Sequence, residues 1–288
     1  MPEFIAQRSI CRTGYSVVTA LCLIGRGSIA EAQTDFYNTD RRRPVQIEDA
    51  YAAERYGFEL KLAPLRLERA NGGRYRWGVE PELEYGILPR THVEIGLPLT
   101  YAEFGGQRRS GISGLDLSVF HNLNVETEGW PALAIRGDAL LPVGNLSSDH
   151  TYGTLTGIIT RTFGWARFHV NGQYTVGTAS AATNQTASVS VVGAQAAEVS
   201  RWLTGVAVDK TFPLKSLLVT AEVYGRKPLL DGSATTEMNV GSGIRYQLSP
   251  TLALDGGLGL RVTGGDQGWY VTFGSAYAFG LGWLMPGK

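Results

Sequence analysis

Cysteine and histidine are scarce in this chain: 288 residues carry two cysteines, Cys11 and Cys22, and four histidines, His92, His121, His150 and His169. Both cysteines lie near the amino terminus, so the rest of the chain can form neither a disulfide nor a thiolate metal site. The histidines are too scattered for a metal cluster, and no metal or cofactor is expected. Net charge is also absent. Twenty-six Lys+Arg oppose 26 Asp+Glu, which leaves no basic footprint for nucleic acid. Nor is there a run of 18 apolar residues, so a transmembrane helix is not expected. Glycines at Gly241, Gly243, Gly256, Gly257 and Gly259 have no following helix and read as small lumen-side or bend residues, not phosphate cradles.

Glycine (37 residues), aromatics (10%) and a charged fraction of only 18% favour a single β-rich unit. Segments of about ten alternating residues recur between short turns, the pattern of a barrel built for lipid. In such a barrel outward apolar residues alternate with polar inward ones. The mean hydropathy of −0.06 therefore does not argue for solubility. The last segment, residues 272–279, puts Phe273, Ser275, Tyr277 and Phe279 on one face and Thr272, Gly274, Ala276 and Ala278 on the other. Its spacing resembles the terminal signal by which bacterial outer-membrane barrels are recognised for insertion, with Thr272, Gly274, Tyr277 and Phe279 at the characteristic positions. The resemblance implies the barrel-assembly machinery as a partner and the bacterial outer membrane as the location.

Arg8 and Arg12, an apolar run over 17–24 and Ala30-Glu31-Ala32 form a secretory signal, expected to be cleaved after Ala32. An internal translation start is left open. Residues 33–54 are expected as a periplasmic pre-barrel segment, 55–280 as the barrel and 281–288 as a short tail. Arg41, Arg42 and Arg43, the only dense charge run, are expected to be solvated, with contact to headgroups or a partner as the lesser option.

Five short-turn hairpins recur, at 85–96, 124–135, 161–170, 210–219 and 246–254. With one strand before and one after, they give an all-β, transmembrane, antiparallel up-and-down barrel of about 12 strands. The expected strands are 56–67, 74–85, 91–104, 114–125, 131–143, 154–163, 166–177, 202–211, 217–227, 236–248, 252–263 and 268–280. Residues 187–200 could extend a strand, enter the lumen or add a hairpin, so 10 to 14 strands stay open.

Parity places Trp77, Leu83, Ile95, Ile135, Val219, Ile244 and Leu258 outward. Aromatic girdles are expected at Tyr85, Trp130, Trp165, Phe212 and Tyr246 by the turns, and at Tyr75, Trp77, Tyr101, Tyr224 and Trp269 towards the loops. The same parity turns nearly all strand charges inward. Arg76, Glu80, Glu82, Glu94, Asp116, Arg136, Asp138, Glu222, Arg245 and Asp255 are the candidates for lining a constriction, with Glu80, Glu82, Glu94 and Arg136 near mid-depth. Two readings follow. Either an acidic wall faces a basic one across a pore for passive diffusion of an unidentified small solute, or the charges pair locally and plug the lumen, leaving a structural or binding barrel that acts through its outer loops. An outer-membrane lipid hydrolase is the weakest alternative, because neither His121 nor His169 has a serine one position away on its face.

At Val45-Gln46-Ile47-Glu48-Asp49-Ala50-Tyr51, over residues 80–91 and at the repeated hairpins, the chain resembles the bacterial outer-membrane family named for transport in the MetA pathway of phenol degradation. The resemblance covers roughly residues 45–280. It implies a barrel channel and traffic in hydrophobic or aromatic compounds.

Overall fold

The computed structural model describes residues 29–30, 37–62, 65–70, 74–104, 107–147, 150–177, 199–229, 235–264 and 267–284. These form a closed antiparallel barrel of twelve strands. The first four strands are each interrupted: β1 (Gly57–Leu62 and Leu65–Ala70), β2 (Arg74–Val79 and Pro81–Leu88), β3 (Thr91–Gly96 and Leu99–Phe104) and β4 (Gln107–Ile112 and Leu115–Asn124). The remaining eight are β5 (Ala132–Leu141), β6 (Tyr152–Thr162), β7 (Arg167–Val176), β8 (Ser200–Phe212), β9 (Leu217–Pro228), β10 (Glu237–Ser249), β11 (Leu252–Thr263) and β12 (Gly268–Leu281). Each pairs with its sequence neighbour, and β12 closes the barrel on both halves of β1, with Phe58 opposite Phe279 and Leu67 opposite Val271. Closure leaves no barrel strand with an unpaired long edge, which is what a sheet in hydrocarbon requires.

Eleven of the expected strands agree with these to within a few residues. The fourth starts at Gln107 instead of 114, because Phe104 and Gln107 already face each other and Arg108 pairs with Glu103 (3.3 Å) across what was expected to be a loop. Val189, Val191 and Val192 lie outside the described residues. Ile29 and Ala30, within the segment expected to be cleaved, pair with Leu281 and Gly280.

Alternation decides the two faces. Ile95, Val119, Ile135, Val219, Ile244 and Leu258 are exposed on the outside, while Lys61, Glu84, Arg136 and Arg245 are buried inside. A soluble barrel would reverse this distribution; here the apolar belt demands lipid. Trp130, Trp165, Phe212 and Tyr246 are exposed at the short-turn end, and Tyr75, Trp77 and Trp269 at the loop end. Tyr224 departs from the expected girdle. It is 2% exposed and points inward, since its strand neighbours Val219 and Val223 take the lipid side. The terminal strand buries Thr272 and exposes Tyr277. Phe279 stacks on Phe58 (5.3 Å) across the closure.

The outward belt gives a depth-dependent prediction. Leu258→Arg, halfway along β11, should destabilise the barrel by about 2–4 kcal/mol, and Val262→Arg, near its loop end, by about 0–1 kcal/mol. Reversible urea unfolding in lipid vesicles would measure both; equal costs would contradict the assignment of β11 as a spanning strand.

Candidate functional site

The lumen holds the chain's own amino-terminal segment. Residues 39–53, expected ahead of the barrel on the periplasmic side, run up into the interior from the short-turn end and return to start β1. The physical reason is a matching of groups: the wall presents carboxylates, amides and hydroxyls in apolar surroundings, and the segment supplies their partners. Near the entrance Arg167 donates to the Tyr37 carbonyl and Arg245 to the Asn38 carbonyl. The two legs are tied together by Thr39 N–H donating to Asp49 Oδ2 (2.9 Å) and Asp49 N–H donating to the Thr39 carbonyl (3.1 Å).

At the top a tight turn closes with Arg43 N–H on the Asp40 carbonyl (3.0 Å), and Arg42 takes the left-handed backbone conformation (φ 68°). The turn fans three guanidinium groups onto the wall. Arg41 reaches Asp116 (3.1 Å) and Asp138 (3.2 Å), and Arg42 reaches Glu80 (2.9 Å) and Asp116 (3.8 Å). Arg43, fully buried, reaches Asp255 through both Nε (3.2 Å) and Nη2 (2.5 Å). Asp40 sits between Lys61 (3.1 Å) and Arg245 (3.0 Å). The expectation that Arg41–Arg43 are solvated is thus overturned: a solvated run would leave Asp116 and Asp255 buried without these cations, which is costly.

The descending leg is held through its backbone. Gln46 and Ile47 N–H both donate to Glu222 Oε2 (2.8 and 3.0 Å), and Glu48 exchanges two hydrogen bonds with the Asn171 amide (2.8 and 2.9 Å). Ala50 N–H donates to Thr160 Oγ1 (2.9 Å), Asn122 donates to the Ala50 carbonyl (2.6 Å), and Ala53 N–H donates to His92 Nδ1 (3.1 Å). Two small apolar contacts complete the seat. Ile47 packs with Leu203, Ala207 and Tyr224, and Ala50 with Phe120, Ala132, Ala134 and Ile158. Inward glycines make the room: a Cβ on Gly243 would lie 2.7 Å from Pro44, and one on Gly257 would run into the Pro44 carbonyl.

Of the ten constriction candidates, Glu80, Asp116, Arg136, Asp138, Glu222, Arg245 and Asp255 touch this segment, Arg136 through Glu48 (3.5 Å). Arg76 instead pairs with Glu68 (2.6 Å), Glu94 pairs with Arg136 (3.1 Å), and Glu82 is buried beside them in the wall. Of the two readings, the described residues do not form an open pore between an acidic and a basic wall; the lumen is filled, though by the segment and not only by local pairing of wall charges. An outer cavity of about 110 Å³ touches Arg41, Arg42, Glu80, Asp116 and Asp138, and an inner one of about 50 Å³ touches Asp40, Asp49, Glu59 and His92, with the folded-in segment between them.

Thr160, His169 and Asp209 make a hydroxyl–imidazole–carboxylate chain (2.9 and 2.7 Å) that alternation alone did not suggest. It is buried in the lumen, and its hydroxyl is engaged by Ala50 N–H, so it tethers the segment away from any lipid. His121 bonds Thr91 (2.9 Å) near the short turns. Glu84, His92 and Glu94 bring possible metal-ligating atoms within 4.8 Å of one another. Their carboxylates already meet Lys61 and Arg136, and the imidazole meets Ala53 N–H.

No family model matches the chain, and no curated protein does. Among solved structures, an outer membrane channel from Pseudomonas putida F1 is 14% identical with a TM-score of 0.51, covering 80% of this chain and 98% of that one. The KdgM porin is 10% identical with a TM-score of 0.45, covering 76% and 98%. Outer membrane phospholipase A from Escherichia coli is 11% identical with a TM-score of 0.39, covering 80% and 94%. The first of these likenesses establishes an outer-membrane-type barrel fold.

Arg43 is the best-buried grip on the segment, so Arg43→Ala should loosen it, stranding Asp255 at a cost of about 3–5 kcal/mol. Trypsin should then cut after Arg41 and Arg42 much faster than in wild type, with the released amino-terminal peptides read by mass spectrometry. Equal cutting rates would mean that the Arg43–Asp255 pair does not hold the segment.

Proposed function

We propose that the protein is an outer-membrane channel for small polar solutes whose lumen is closed at rest by residues 39–53 acting as a displaceable plug. The observation that carries this reading is the kind of contact that seats the plug. Apart from the apolar contacts of Ile47, Ala50, Tyr51 and Ala52 and the burial of Val45, the plug is held by ion pairs and hydrogen bonds to wall groups that water can solvate equally well once it leaves. An apolar seal would expose a greasy wall on opening. A charged wall opens onto a hydrated lumen, so the difference between the two states is small compared with the individual interactions.

Solutes with polar or charged groups suit this wall. The hydrophobic or aromatic cargo implied by the family resemblance would have to pass carboxylates and guanidinium groups with nothing apolar to exchange for water. Recognition of the terminal strand by the barrel-assembly machinery is supported by the outward Tyr277 and the Phe279–Phe58 contact at the closure. A second reading, a permanently filled barrel working through its outer loops, is favoured by one feature: Ile47 and Ala50 are each 0% exposed.

Planar-bilayer recordings separate the two. Wild type should be mostly closed, and Arg43→Ala/Ile47→Ser should raise the open probability about a hundredfold or more, the equivalent of losing at least about 3 kcal/mol of plug stabilisation. Continued silence in the double variant, with the barrel folded, would leave the permanently filled barrel.

A further inference from the structure

The outer cavity ends on three wall carboxylates: Glu80, at the break between the halves of β2, Asp116 on β4 and Asp138 on β5. The side chains of Asp138 and Glu80 are more than nine-tenths buried, and that of Asp116 nearly so. Two guanidinium groups are already seated on them, and both belong to the plug, which by the reading above can leave. Among the described residues, the ion-pair partners of Asp116 are Arg41 and Arg42 alone. Asp138 keeps one wall cation, Arg136 (2.8 Å on Oδ1), and Ser118 on the same oxygen (2.7 Å). Even with the plug in place, Asp116 Oδ1 and Asp138 Oδ2 are buried without a hydrogen-bond donor. The cluster therefore has more acceptor capacity than its present occupants use.

We infer that Glu80, Asp116 and Asp138 form a binding site for a cationic group of the transported solute, a guanidinium or primary ammonium, which Arg41 and Arg42 occupy in the closed barrel as a built-in surrogate. This rests on the channel reading and adds the solute class to it. The geometry favours a small dication. Asp116 is shared between two guanidinium groups, one also on Asp138 and the other also on Glu80, so two positive centres on one short molecule could reproduce both contacts. A solute that takes these carboxylates displaces the arginines and with them the top of the plug, which couples recognition to opening. An anionic group would be repelled at these three carboxylates once the arginines have left.

Agmatine, which carries a guanidinium and an ammonium on one four-carbon chain, is the probe. Titration calorimetry should detect agmatine binding to the full-length Arg41→Ala/Arg42→Ala protein, and adding Asp116→Asn should weaken it about tenfold or more. On unmodified protein, agmatine should accelerate chymotrypsin cleavage after Tyr51 relative to sodium chloride of equal ionic strength. Absence of binding, or binding unchanged by Asp116→Asn, overturns the site. So does equal cleavage with agmatine and salt, an arm that needs no variant to fold. Bilayer recordings of Arg43→Ala/Ile47→Ser keep the two readings apart: conductance there without agmatine binding removes the cation site and leaves the channel, whereas Asp116-dependent binding without that conductance supports the site and removes the channel.

Discussion

The three adjacent guanidinium groups on the turn at Arg41–Arg43 are what the interior depends on. Successive residues of a tight turn point in different directions, so one short stretch of backbone delivers cations to Asp116 and Asp138, to Glu80 and to Asp255 at once. Those carboxylates come from strands on separate parts of the barrel wall. Arg42 adopts a backbone conformation that residues with a Cβ seldom take, a cost offset by the ion pairs the turn makes possible. Arginine suits the task better than lysine, because a planar fork can serve two carboxylates while remaining charged in a poorly hydrated place.

Below the turn the interactions change character from charge to hydrogen bonding. Glu222, Asn171, Thr160, Asn122 and His92 receive or donate to the backbone of residues 46–53, doing for the segment what a neighbouring strand does for a sheet. Apolar anchoring comes from Val45, Ile47 and Ala50, with Tyr51 and Ala52 packed beside the Ala50 cluster. A segment seated this way is specific without being irreversibly bound, since most of its partners exchange protein contacts for water at little net cost. The lipid-facing surface has the opposite property. Its apolar groups have no good alternative to the bilayer, so on the proposed channel reading the barrel stays in place while its contents move.

The wall was legible in the sequence because lipid imposes a period of two on every spanning strand, and a one-residue error would put Arg136 or Glu84 into hydrocarbon. That constraint recovered strand positions and the inward set, including seven candidates that touch the plug. The plug itself obeys no period. Arg41–Arg43 have the same composition whether they lie in water or against buried acids, so their spacing alone favours the solvated reading. Two signals pointed the other way: acids clustered on the inward face of β2 to β5, and inward glycines at 243 and 257 where a packed wall needs no gap. His169 was likewise readable as a lumen residue, but its chain from Asp209 to Thr160 to the Ala50 amide needs three segments brought together by the fold.

The central claim is that residues 39–53 reside in the lumen and not in the periplasm. Amide hydrogen exchange of the full-length protein in lipid nanodiscs, read by mass spectrometry, tests it without mutation. The account predicts that the amides of Gln46, Ile47, Glu48, Ala50 and Ala53 exchange far more slowly than those of an unstructured peptide. Exchange of all five at free-peptide rates would contradict it.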